Sequence, residues 1–184
     1  PALGPLAVTG ATGGVGSLAI AIFAKAGYEV HAISGKADQA GYLTSLGAHA
    51  VLGREVLETA APMASARFGG GLDNVGGAML AGLLAQTAPY GNVASAGLAA
   101  THELHATVMP FIIRGVSLLG VASAGTARDI RDEVWRRLAG DWKPANLDAV
   151  CTRETDLDGL PAVFETMLAG GSLGRTVVRV ADTP

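Results

Sequence analysis

Four residues of strand character, Leu6-Ala7-Val8-Thr9, run straight into Gly10-Ala11-Thr12-Gly13-Gly14-Val15-Gly16 and then into an apolar helical stretch. That order leaves few ways for the chain to fold. Glycine lets the backbone reverse sharply at the end of a strand, and a late glycine lets the following helix pack close to it. The helix that opens there has unpaired amides and the positive end of its dipole at the bend, so the bend favours an anion. The usual dinucleotide fingerprint is G-x-G-x-x-G. Ala11 stands at its first glycine position, with Gly13 and Gly16 at the other two. The loop predicts a dinucleotide site; a plain tight turn is the alternative.

The rest of the chain repeats the strand-then-helix alternation. Strands are predicted at 6–9, 29–34, 50–52, 72–75, 92–96 and 117–121, and helices at 16–26, 37–46, 78–87 and 127–139. Residues 54–68 read as a helix interrupted near Pro62. Such alternation means right-handed βαβ crossovers, so the expected fold is α/β, a doubly wound parallel six-stranded Rossmann sheet covered on both faces. Beyond it lies a C-terminal strand-helix-strand appendix, predicted at 147–153, 160–168 and 176–180, expected along the sheet edge or on a neighbouring domain.

Composition narrows the function. The 184 residues suit one domain, and 49% apolar against 16% charged residues excludes disorder. Thirteen basic residues against sixteen acids leave a net charge of −3, no footprint for nucleic acid or for a polybasic membrane anchor. The uncharged stretch 74–101 is broken by Gln86, Pro89, Gly91 and Asn92, so it reads as buried helix, turn and strand rather than a membrane span. With no signal-peptide pattern at the start, the expected location is cytoplasmic. One cysteine, Cys151, allows no internal disulfide and reads as a small buried hydrophobe. His102 and His105 could share a helix face, but no third ligand is indicated and no metal site is expected. The charges of 127–139 alternate in sign, a solvated face.

The end of the second strand bears on which dinucleotide. An NAD site wants an acid there to bond the ribose 2′-hydroxyl. The sequence has Ser34-Gly35-Lys36 instead, a hydroxyl and an ammonium that suit a 2′-phosphate. The expected cofactor is NADPH.

Val8–Leu52, with TGATGGVGS, AISGK and YLTSLGAHAVL, resembles the medium-chain dehydrogenase/reductase superfamily, and within it the acrylyl-CoA reductase branch of YhdH/YhfP-type quinone oxidoreductases. LDNVGG at 72–77, NVASAGLA at 92–99, TVMPFIIRGVSLLGVAS at 107–123 and GRTVVRV at 174–180 carry the resemblance through the chain in order. It implies that Ala11, Thr12, Gly13, Gly14 and Val15 hold the pyrophosphate. Ser34, Gly35 and Lys36 would take the 2′-phosphate, supported by Tyr42 and Arg54. Leu98 and Ser123 would line the nicotinamide side, and Arg175 would reach the phosphates from the tail.

The resemblance further implies an NADPH-binding domain at 1–145 and a tail at 146–184 that returns to a catalytic domain lying outside this chain. Hydride would pass, without zinc, from NADPH to the β-carbon of an α,β-unsaturated acyl-CoA, or to a quinone or enone. The chain alone would bind NADPH and turn over poorly. A homodimer is expected through the strand that runs from Ser117 to Val121. The segment Thr9–Gly16 also fits atypical short-chain reductases that act as redox sensors. No tyrosine is followed four residues on by lysine, so only a non-catalytic sensor survives on that reading, and SLGAHAVL points away from it.

Overall fold

The computed structural model describes residues 2–181. Six parallel strands, β1 (Leu6–Thr9), β2 (Val30–Ile33), β3 (Ala50–Leu52), β4 (Phe68–Asp73), β5 (Thr87–Ser95) and β6 (Ser117–Gly120), form one sheet in the order β3-β2-β1-β4-β5-β6. The helices are α1 (Gly14–Lys25), α2 (Ala40–Ser45), α3 (Glu55–Glu58), α4 (Gly77–Ala85), α5 (Met109–Arg114), α6 (Arg128–Ala139) and α7 (Leu160–Leu168). This is the doubly wound architecture expected from the alternation. Among the described residues no helix is long and apolar enough to cross a membrane.

Side chains alternate across the strands, so neighbouring residues feed two cores. Ala7 and Val93 pack on one face with Leu57 of α3 and Met79, Leu80, Leu83 and Leu84 of α4. Val8, Val30 and Ala32 pack on the other with Ala19 and Ile20 of α1, Leu43 of α2 and Leu46 just after it. Nearly all of these are fully buried.

Four expectations need correction. β4 begins at Phe68, four residues earlier than predicted, and runs through Gly69-Gly70-Gly71. Glycines ordinarily weaken a strand, but here a Cβ at Gly70 would strike the Asn92 carbonyl and one at Gly71 the Ala7 carbonyl, so close backbone approach requires them. β5 likewise starts at Thr87 rather than 92, because Tyr90 adopts φ 62° and the β4–β5 register shifts between Phe68 and Gly70. A left-handed residue absorbs the irregularity that Pro89 signalled as a turn. Before β4 begins at Phe68, the stretch expected to be helical holds only the single-turn α3, with irregular chain to Arg67 that Arg114 pins by donating to Ala64 O at 2.6 Å and Ala85 O at 2.8 Å.

The fourth correction concerns coverage. The α1 side of the sheet is left open over β4–β6, where Leu6, Ala94 and Leu119 with Phe23 and Tyr28 line a groove of about 440 Å³. α6 does not close it. Its apolar positions Ile130 and Val134 are exposed, as is Trp135.

The tail does not extend the sheet. β7 (Cys151–Asp156) and β8 (Arg175–Arg179) form their own parallel pair joined by α7. Val150 enters the core beneath α1 and α2, Asn146 donates to Ser45 O at 2.5 Å, and Gly174 N–H donates to Thr12 O at 2.8 Å. The appendix therefore sits against the glycine loop, a placement set by contacts more than a hundred residues apart in sequence.

Candidate functional site

Strand order reverses between β1 and β4, and in open α/β sheets ligands bind at the carboxyl ends of the strands at that switch point. A cleft of about 800 Å³ lies there. Its walls are the glycine loop after β1, Ser34–Lys36 after β2, Asn74 and Val75 after β4, residues 96–100 after β5, and Met167, Gly170 and Ser172 from the tail.

The glycine loop is rigid for identifiable reasons. Gly10 takes φ 58°, and its carbonyl accepts from Gly13 N–H at 3.0 Å. A Cβ on Gly16 would strike that carbonyl and lie 2.8 Å from Ala11 Cα, so only glycine lets α1 begin so close to β1. Gly13 precedes α1 with no side-chain cap, and the first turn carries no acid. Its opening amides and positive dipole end therefore face the cleft uncompensated.

Beneath the loop, Asp73 is fully buried. It accepts from Thr9 Oγ1 at 2.6 Å and from Gly76 N–H at 2.8 Å. Asn74 donates its side-chain amide to Thr9 O at 2.8 Å and its backbone N–H to Thr9 Oγ1 at 3.0 Å. These bonds tie the ends of β1 and β4 across the switch point and fix the floor of the cleft.

The cations cluster at one end. Ser34 is nearly buried and accepts from Lys36 N–H at 3.0 Å, which leaves its own hydroxyl proton free to donate. Lys36 lines the cleft and donates from Nζ to Ser172 O at 2.5 Å. Arg54 stretches across Gly35, its Cδ 3.0 Å from where a Cβ would stand, and pairs with Glu58 at 2.6 Å.

The residues named from sequence fall into two groups. Thr12, Gly13, Gly14, Val15, Ser34, Gly35, Lys36, Arg54 and Leu98 all line the cleft. The other four are not among its lining residues. Ala11 is wholly buried and offers no side-chain contact. Tyr42 donates to Ser17 Oγ at 2.9 Å and braces α2 on α1; burial pushes its hydroxyl above the usual tyrosine value, partly offset by that bond. Ser123 is exposed in a turn after β6, its carbonyl accepting from Arg131 at 2.9 Å. Arg175 lies over the start of α1, its Cδ 2.7 Å from a Cβ built on Gly14, and lines an adjoining hollow with Arg153.

Asn74, Val75, Met79 and Gly97 also line the cleft and were not singled out from sequence. The switch-point rule could have found Asn74 and Val75, which follow β4 as the glycine loop follows β1. Nothing local points to Met167 or Ser172. Among the described residues no group of three or more His, Cys, Asp or Glu is placed to hold a metal. His105 is exposed and sits 3.2 Å from Glu103.

A six-stranded sheet of this order with a glycine loop at its switch point defines the Rossmann class of dinucleotide-binding domain. The family model described as zinc-binding dehydrogenase matches residues 14–140, and the chain belongs to that family, within the medium-chain dehydrogenase/reductases its motifs resemble. This decides between the two readings of Thr9–Gly16 in favour of the medium-chain one. The chain is 46% identical over 182 residues to acrylyl-CoA reductase AcuI of Ruegeria pomeroyi, covering 98% of this chain and 55% of that protein. The crystal structure of Escherichia coli YhdH with bound NADPH superposes with TM-score 0.93 at 40% identity, covering 98% of this chain and 56% of that one. Bacillus subtilis YhfP, crystallised with NAD, gives TM-score 0.91 at 41% identity over 96% of this chain and 54% of that one. The chain spans about half the length of the relatives it matches.

Proposed function

We propose that this chain binds NADPH and forms the cofactor domain of an oxidoreductase that delivers hydride, without zinc, to an α,β-unsaturated acyl-CoA. The zinc-independent chemistry and the acyl-CoA acceptor rest on the resemblance to the acrylyl-CoA reductase branch; a quinone or enone is the related acceptor. What carries the cofactor assignment is the end of β2, where Ser34, Lys36 and Arg54 gather at the place an NAD site reserves for a carboxylate.

The residues fit the group. The amides opening α1 with Thr12 hold the pyrophosphate; Ser34 and Lys36 take the 2′-phosphate, with Arg54 released from Glu58 to assist and Arg175 closing over Gly14. Leu98, Val75 and Met79 give an apolar wall that seats a flat ring. When bound, NADPH supplies the hydride, and this domain's part is to hold and orient it.

Calorimetric titration with NADPH and NADH tests the assignment. Wild type binds NADPH more tightly, and Lys36→Ala weakens NADPH roughly ten- to a hundredfold, the worth of a charge-assisted hydrogen bond, while leaving NADH within about twofold. Equal loss for both nucleotides, or no loss, rejects it.

We further propose the division into a nucleotide domain at 1–145 and a tail at 146–184 that packs against a catalytic domain. Apolar side chains on the tail's outer surface, Phe164, Leu168 and Val177, support it. A homodimer through β6 belongs to the same reading. β6 is an edge strand; Val121 N–H bonds inward to Ser95 O, so alternation turns the Gly120 amide to the open edge. Ile112 and Ile113 are exposed beside it. Light scattering should give a dimer for wild type and a monomer for Gly120→Pro, whose ring enters open space. A monomeric wild type retires the dimer.

A further inference from the structure

Lys36 stands on a loop after β2 and carries four flexible methylenes, yet its ammonium is held in one place. Nζ donates to the carbonyl of Ser172, 136 residues away in sequence. An ammonium has three N–H donors, so one bond to Ser172 leaves two for the cleft that both residues line. Among the described residues Lys36 forms no ion pair, whereas Arg54 is matched by Glu58. Of the two cations that line the cleft, Lys36 is the one that retains unbalanced charge, and it is the one the tail holds.

The carbonyl that holds it is itself fixed. Gly171 N–H donates to Thr166 O at 2.8 Å, which caps α7. Thr152 Oγ1 donates to Leu173 O, and Gly174 N–H donates to Thr12 O at 2.8 Å. Gly174 itself has φ 54°, with Val150 O and Tyr42 Oη close around the point where a Cβ would stand, so the loop fits only as glycine there. Ser172 O is thereby referenced to the glycine loop, the same frame that would fix the pyrophosphate.

We propose that the tail loop 170–174 is a specificity-determining element: through the Ser172 carbonyl it pre-positions Lys36 for the 2′-phosphate and so sets the preference for phosphorylated over unphosphorylated nucleotide. Ser172 acts through Lys36 and is a positioning residue. The proposal rests on the reading of the cleft as an NADPH site. Pre-positioning matters because an untethered lysine must lose its rotamer freedom when the anion arrives. By linkage, a 2′-phosphate that engages Lys36 must also tighten the loop, whereas NADH must not.

The test uses the full chain with two variants that loosen the loop without touching the cleft lining, deletion of Gly171 and Thr152→Val, alongside Lys36→Met. Each loop variant should weaken NADPH about three- to tenfold, the effect of immobilising one long side chain, with NADH unchanged. In the Lys36→Met background the same loop changes should do nothing further to NADPH affinity. Hydrogen exchange on wild type gives a readout that needs no variant to fold: amides 170–176 should be protected more by NADPH than by NADH. If Lys36→Met removes the preference for NADPH but the loop variants keep it, or if the two nucleotides protect 170–176 equally, the tail has no such role although the cofactor assignment stands. If Lys36→Met leaves the preference intact, the cofactor assignment falls and this proposal with it.

Discussion

Gly16→Ala is expected to abolish measurable NADPH binding and to lower the stability of the domain. Inside a helix, glycine to alanine ordinarily gains up to about 1 kcal/mol. Here the added Cβ meets only backbone: it strikes Gly10 O and lies 2.8 Å from Ala11 Cα and 2.9 Å from Ala11 O. No flexible side-chain end can move aside, so either α1 lifts from β1 or the loop opens. Overpacking of this kind costs about 1–3 kcal/mol and outweighs the propensity gain. Because the same backbone aims the α1 amides, the binding loss exceeds the stability loss. Thermal unfolding and calorimetric titration of the one variant separate the two, and a more stable protein with intact binding contradicts the described geometry.

Asp73→Ala should destabilise the chain by about 3 kcal/mol. The carboxylate is fully buried and accepts from the Thr9 hydroxyl and from Gly76 N–H. Truncation strands both donors in a space that also loses packing. Asp73→Asn should cost less, since its amide oxygen still serves one of the donors and its NH₂ can turn to Thr9 Oγ1. Thr9→Val should fall between them, leaving Asp73 and the Asn74 N–H each one partner short. Denaturant unfolding of the three variants gives the order, and midpoints equal to that of wild type would mean the β1–β4 tie contributes nothing to the fold. Asn74 and Gly76 depend on that tie, so NADPH affinity should fall in the same order as stability.

The halves of the site differed in how far they could be read beforehand. The loop after β1 and the residues after β2 follow their strands within a few positions, and the glycine spacing and the missing acid are local facts. Asn74 and Val75 follow β4, but the local pattern puts them inside a strand at 72–75, because Gly69-Gly70-Gly71 looks like a loop until the neighbouring carbonyls of Ala7 and Asn92 are in view. The resemblance puts Tyr42 beside the 2′-phosphate, whereas its hydroxyl donates to Ser17 and braces α2 on α1. On a helix face, only the direction of the side chain distinguishes the two roles.

The sequence by itself determined the alternation of strands and helices, the anion-favouring bend at Gly10–Gly16 and the cation in place of an acid at Lys36, because each depends on residues within one or two turns of chain. The tertiary structure alone decided that the tail forms a separate strand pair against the glycine loop and that Ser172 O takes hold of Lys36. It also decided that half of one sheet face stays open. The docking of the tail on the glycine loop and the hold on Lys36 are set by hydrogen bonds between segments more than a hundred residues apart, which no local spacing encodes.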